Sequence, residues 1–235
     1  MKYSNIKKDI LFLIVLFIIF IPFFISSWVF DFYLMMNKEH ALLLSGLKFG
    51  ILATLGEMIG MRIKKGFYID REFGLIAKFF YWAIIGITIK YAFIIFTGGT
   101  LAFYNFMGVV NVENIFKGGL SFNKVLLSFS ISLSMNVIYA PVMMIFHRLT
   151  DLHIILHKGS PSCIFKPIMI SKLIKEINWD TQWNFVIKKT IPLFWVPAHT
   201  ITFLLPDEYQ ILFAAFLSII LGVILAIASL ISKNK

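Results

Sequence analysis

The sequence predicts an all-α protein: a polytopic membrane helical bundle of about six transmembrane helices, one domain over residues 1–235, with both termini inside. Three observations predict it. Hydrophobic residues fill 59% of the 235 positions and charged residues only 14%, a balance that soluble domains rarely show. The apolar residues gather into repeated runs of about 20, the length a helix needs to cross a hydrocarbon core of about 30 Å. The basic residues fall almost entirely into alternate gaps between those runs, which is the bias that orients spans in a bilayer.

The first run, residues 10–30, follows Lys2, Lys7 and Lys8. A run this long with no small-residue cleavage site after it reads as a retained anchor rather than a removed signal. Pro22 deletes one helix hydrogen bond and is expected to kink it. Residues 31–40 read as a loop.

The second run, residues 41–61, organises the rest. Gly46, Gly50, Ala53, Glu57 and Gly60 follow a four-three-four-three spacing, which places all of them on one helix face. Small residues let a second backbone approach closely, so Gly46, Gly50, Ala53 and Gly60 are the helix-packing candidates. Glu57 shares that face. A charged side chain costs about 2.5–3.5 kcal/mol at mid-membrane on insertion scales, so this carboxylate is expected to face protein or a wet cavity. Two readings stand open: a pair with a basic neighbour that only fixes packing, and a polar path between helices.

The third run, residues 75–97, carries Lys78 near one end and Lys90 deeper, and Gly98-Gly99 is expected to end it. Residues 100–120 are too short to span and fit an interfacial or re-entrant segment, with Phe103, Tyr104 and Phe106 at the headgroup boundary. In the fourth run, residues 122–146, Lys124, Ser128, Ser132, Asn136 and Ala140 recur every four residues. That stripe is either a wall facing water or a packing seam, since serines can bond back to their own helix. Pro141 frees backbone carbonyls within it.

Residues 147–180 read as the longest loop, with an amphipathic interfacial segment over 168–177. His147 and Asp151 are one turn apart, as are His153 and His157, a spacing that can hold a metal. No third and fourth ligand joins them in the sequence, so neither a metal nor a cofactor is expected. The fifth run, residues 183–205, holds Lys188, Lys189 and His199 with Pro192 and Pro197, and is expected to be a broken helix. A turn at Pro206-Asp207-Glu208 leads to the sixth run, residues 209–231.

Alternating the gaps places Arg62, Lys64, Lys65 and Arg71 on one side with the N-terminal lysines. The same side takes Arg148, Lys158, Lys166, Lys172 and Lys175, then Lys233 and Lys235. Lys38 and Lys117 fall opposite. The formal net charge of +10 therefore speaks to orientation and not to nucleic acid, which is not an expected partner. This topology sets Lys48, Lys90 and His199 in the outer half and Glu57, Lys188 and Lys189 in the inner half. An ion pair of Glu57 with Lys188 or Lys189 is one expectation; an inward cavity that leaves both solvated is the other.

The stretch Phe194–Gly222 resembles the close of the Mpv/PMP family of peroxisomal and mitochondrial inner-membrane proteins, through Trp195, Pro197, Phe203, Pro206 and Tyr209. Thr202 and Gln210 stand where that family has asparagine and arginine. Gly56-Glu57 resembles its early glycine-aspartate pair, and Asn136 with Ala140-Pro141 resembles its mid-chain motif. The resemblance implies a small integral membrane protein, here a bacterial-type member, linked to a weakly selective pore for ions and small metabolites. The composition suits a bacterial inner membrane; an organelle membrane is the eukaryotic counterpart.

The functional expectation is a channel-like or transport protein for ions or small metabolites. Its polar-path candidates are Glu57, Lys90, Ser128, Ser132, Asn136, Lys188, Lys189 and His199. The alternative is a non-transporting scaffold or substrate-binding subunit of a larger transporter, with the small-residue stripe as a docking face. The expected partners are the lipid bilayer, small solutes or ions, and a second copy or another membrane protein. No enzyme motif is present: an intramembrane enzyme would need Glu57, His147 and Asp151 to meet from separate elements, and none is expected.

Overall fold

The computed structural model describes residues 3–233 and is 85% helical, with no strand among the described residues. The chain runs α1 (Tyr3–Phe20), α2 (Pro22–Ile25), α3 (Ser27–Glu39), α4 (Ala41–Lys65), α5 (Leu75–Phe106), α6 (Val112–Lys117) and α7 (Phe122–Leu156). It continues through α8 (Ile170–Leu173), α9 (Trp179–Thr181), a π-helix (Gln182–Trp195), α10 (Val196–Leu204) and α11 (Asp207–Lys233). Five segments are long and apolar enough to cross a membrane: Ile6–Ile25, Ala41–Lys65, Leu75–Phe106, Phe122–Leu156 and Asp207–Ile224. They are consistent with an integral membrane protein.

The expected fifth span is helical but is not among these five. It is divided between the π-helix and α10, which join through right-handed helical backbone at Trp195 and Val196. Pro192 and Pro197 each lack an N–H, so the ordinary helix ladder loses two bonds here and the wider π register takes over the first half.

Helix α4 is the centre. It packs antiparallel to α5 on one side and parallel to α11 on the other. A methyl at Gly46 would stand 3.0 Å from the Ala83 carbonyl oxygen, and one at Gly50 2.9 Å from the Phe79 ring. Gly86 returns the contact from α5, where an added carbon would lie 2.5 Å from Phe49 Cβ. Gly56 sits against the Ile219 backbone and Gly60 against Gly222 of α11. The small-residue stripe is therefore used inside the chain and serves two partners, with Gly60 turned towards α11 and not towards α5. Ala53 is buried in the common core with Phe49, Leu52, Ile85 and Phe93.

Several expected boundaries are corrected. Residues 31–40 are not a loop but most of α3, capped where the Ser26 hydroxyl accepts from the Val29 N–H. Gly98-Gly99 does not end the third helix: α5 runs on to Phe106. Nothing lies within 4 Å of either glycine's missing methyl, so they cost helix propensity only. Tyr104 Oη with Ser130 Oγ (2.8 Å) and Thr100 Oγ1 with Ser134 Oγ (3.2 Å) hold that extension against α7. Residues 100–120 thus hold the end of α5 and the short α6, not a re-entrant segment. The fourth helix passes 146 and reaches Leu156, because Leu149, His153 and Ile154 are buried at helical spacing against the chain that follows. The 168–177 segment forms short helical turns, with Leu173 and Ile177 packed on Leu149.

Helix α1 lies outermost, its apolar side chains largely exposed. It is tied at one end by Arg62, whose guanidinium donates twice to Asp9 at 2.7 Å, and by the Phe12–Tyr68 ring stack. These contacts define a basic end of the bundle, with the 66–74 and 157–178 connections. The far end holds α3, α6 and the turn at 205–206.

The glycine contacts predict opposite effects for two substitutions on one helix. Gly86→Ala forces α4 and α5 apart and lowers stability by about 1–3 kcal/mol. Gly98→Ala meets open space and raises it by about 0.5–1 kcal/mol. Unfolding in mild detergent, followed by circular dichroism, measures both.

Candidate functional site

Three helices bring four ionisable side chains together near the basic end. Glu57 comes from α4, Lys78 and Trp82 from α5, and His147 and Asp151 from α7. Trp82, four residues after Lys78, and Asp151, four residues after His147, lie one turn on along their helices, so each helix presents two groups to the same spot. The Lys78 ammonium bridges the carboxylates: it pairs with Glu57 Oε2 and donates to Asp151 Oδ1 at 2.6 Å. Glu57 Oε1 accepts from Trp82 Nε1 at 2.6 Å and stands 3.3 Å from His147 Nε2. His147 Nε2 is 3.9 Å from Asp151 Oδ2, and its ring leans on the Trp82 indole with centroids 4.4 Å apart.

The charges sum to −1 with His147 neutral and to zero with His147 protonated. Lys78 exposes 12% of its side chain and Glu57 24%, so the cluster is shielded but not sealed. Glu57, His147 and Asp151 also offer ligand atoms all within 4.8 Å of one another. By distance alone that set could hold a metal, but the Lys78 ammonium already bridges the two carboxylates. The other histidine pair is spent on backbone: His153 Nε2 lies 3.0 Å from the Cys163 carbonyl and His157 Nδ1 2.9 Å from the His153 carbonyl.

The expected partners of Glu57 are corrected. Lys188 and Lys189 are both exposed, and Lys188 Nζ donates to Asn184 Oδ1 on its own helix at 3.3 Å. The serine stripe is also relocated. Ser128, Ser132 and Asn136 are fully buried, and Ser132 and Asn136 face α10, not Glu57. Ser132 Oγ donates to the Val196 carbonyl at 2.7 Å, and Asn136 Nδ2 lies 3.0 Å from Nδ1 of His199. His199 is buried beneath Trp195, with ring centroids 5.1 Å apart. Lys90 lies elsewhere, in a groove at the far end.

A small, largely apolar cavity of about 40 Å³ lies between Trp82 and the Asn136–His199 pair; Glu57, Lys78, His147 and Asp151 do not line it. Trp82 lines one part of it and Asn136, Trp195 and His199 another, with Met135, Tyr139 and Met143 among the apolar groups between. Asn136 Oδ1 and Trp195 Nε1 are buried there without a hydrogen-bond partner.

Glu57 was legible as a buried carboxylate. Glu57, His147 and Asp151, the trio whose meeting was not expected, do come together here; Lys78 and Trp82 were not placed with them. The signal that finds them is the pairing of Lys78 and Trp82, and of His147 and Asp151, four residues apart on two helices that both pack near α4. The class that fold and site define is an all-α membrane-type bundle with a charged interior cluster. No family model, curated protein or solved structure matches the chain.

Two outcomes follow. Lys78→Met leaves two carboxylates facing each other and destabilises by about 3–5 kcal/mol, while Lys78→Met combined with Glu57→Gln recovers much of the loss. Unfolding midpoints of the single and double variants in one detergent measure this coupling. Cys163, on the connection after α7, is fully buried, and burial pushes its thiol above the usual range. Folded protein therefore reacts slowly with a maleimide at neutral pH, and denaturant restores ordinary labelling.

Proposed function

We propose that this chain is a membrane transport protein for ions or small metabolites, held here in a closed arrangement. The observation that carries the reading is the interior charge cluster built from α4, α5 and α7, whose Trp82 partner also lines a small cavity with Asn136 and His199. Full charges inside a spanning bundle are costly, and in membrane proteins they tend to mark solute or proton routes. Pairs that join three helices suit a gate, because parting them needs only a modest shift of packed rods with a replacement partner for each charge. The resemblance to the Mpv/PMP family points the same way, as does the run of proline-broken helix beside the cavity.

With the basic end in the cytoplasm, both termini lie inside, and a bacterial inner membrane suits that orientation. The scaffold reading has less support, since the stripe it would use for docking is packed against α5 and α11.

Reconstitution into liposomes tests the proposal. Wild-type protein passes small solutes faster than protein-free vesicles, and Glu57→Gln changes that rate while leaving the protein folded. Flux equal to that of empty vesicles for both proteins would count against transport and return the cluster to a packing role.

A further inference from the structure

The connection from α7 to the π-helix is apolar on two sides. Its inner side packs on the last turns of α7 and the start of α5. Leu173 and Ile177 share one apolar cluster with Leu149, and Cys163 shares another with Ala77 and Ile154. Its outer side leaves large apolar groups bare. Phe165 is 90% exposed, Ile170 56% and Trp183, at the start of the π-helix, 51%. Met169 and Trp179 are exposed as well. The Trp179 indole N–H is already used, donating to the Ile174 carbonyl at 3.0 Å.

The charges on the same stretch are of one sign. Residues 158–189 hold six lysines, Lys158, Lys166, Lys172, Lys175, Lys188 and Lys189, against two acids, Glu176 and Asp180, a net charge of +4. All six lysines are exposed, and none has a carboxylate within 4.0 Å among the described residues. Asp180 Oδ1 instead accepts from Asn184 Nδ2 at 2.6 Å. Lys188 Nζ stands 5.9 Å from the centre of the Trp183 ring. Bare apolar groups gathered in one segment mark a contact surface. Aromatic rings with unpaired lysines suit the headgroup level, where the rings meet the acyl boundary and the ammonium groups stay among phosphates. Trp179 and Trp183 stand where the chain turns back into the bundle.

We propose that residues 161–189 form a surface that docks on the anionic phospholipid headgroups of the membrane the chain spans. Phe165, Ile170 and Trp183 enter the acyl boundary, and Lys166, Lys172, Lys175 and Lys188 meet the lipid phosphates. The inner apolar side chains are already spent on α5 and α7, so docking needs no rearrangement of the bundle. A neutral bilayer satisfies the rings alone; the unpaired lysines are what select anionic lipid. Of the transport reading this takes only that the chain spans a membrane, and it stands whether or not solute crosses.

The test is amide hydrogen exchange of the full-length protein, read by mass spectrometry in nanodiscs of phosphatidylcholine with and without phosphatidylglycerol. Residues 161–181 are built from short turns, which open easily, so their exchange reports what covers them. Phosphatidylglycerol is expected to slow exchange over 161–181 about tenfold, an increment that added salt reduces. Lys166→Gln, Lys172→Gln and Lys175→Gln together remove the increment. They leave exchange in α4 and α5 unchanged, since all three side chains are exposed. Phe165→Ser with Ile170→Ser speeds exchange over 161–181 in both lipids. Equal exchange with and without phosphatidylglycerol leaves the surface free for a soluble acidic partner and overturns the proposal. An increment that the triple lysine variant keeps overturns it too. Neither result reads flux, so failure here is distinct from failure of the transport reading.

Discussion

Lys78 holds the bundle to account at its basic end. Its ammonium joins a carboxylate of α4 to a carboxylate of α7 while belonging to α5, so three helices share one cation. At side-chain exposures of 12% for Lys78, 24% for Glu57 and 20% for Asp151 they are largely screened from bulk water, and none of them can be left without its partner cheaply. The close approach of α4 to α5 through Gly46, Gly50 and Gly86 is what makes the meeting geometrically available. Small residues and buried charges are thus two parts of one arrangement: the first sets the spacing, the second fixes the register.

Much of the fold was legible, for a simple reason. Apolar runs report burial or lipid contact directly, and their lengths report crossings, so the segments around 41–61, 75–97, 122–146 and 209–231 each fall within a helix of the structure. Glycines at helical spacing reported close contact. What hydropathy cannot report is where a helix stops once it leaves the apolar layer. The fourth helix was therefore cut at 146, though Leu149, His153 and Ile154 keep it helical to Leu156 through packing on sequence-distant chain. The same shortfall left His147 and Asp151, noticed as a one-turn pair, in a loop, where their meeting with Glu57 was not expected, though both are helical. Gly98-Gly99 misled in the other direction, because a glycine pair facing open space interrupts nothing.

The site shows why depth is a weaker guide than face. Glu57, Lys188 and Lys189 share a depth by residue count, which made them natural partners. Yet the lysines point away from the bundle, while Lys78, close to the start of its helix, reaches down to the carboxylate. A long flexible stem lets an ammonium find a partner well away from its own backbone. The serine stripe failed as a water-facing wall for a related reason. Ser132 has an acceptor on the neighbouring helix in the Val196 carbonyl, and Asn136 meets His199, so the polar face becomes a seam between helices.

The most direct measurement is the indole N–H resonance of Trp82 in nitrogen-labelled protein, assigned by its loss in Trp82→Phe. A hydrogen bond to a shielded carboxylate puts that proton well downfield and slows its exchange with water, and Glu57→Gln moves it back upfield. A Trp82 signal at the position of a free indole, exchanging rapidly and unmoved by Glu57→Gln, would contradict the meeting of α4, α5 and α7 on which the account stands.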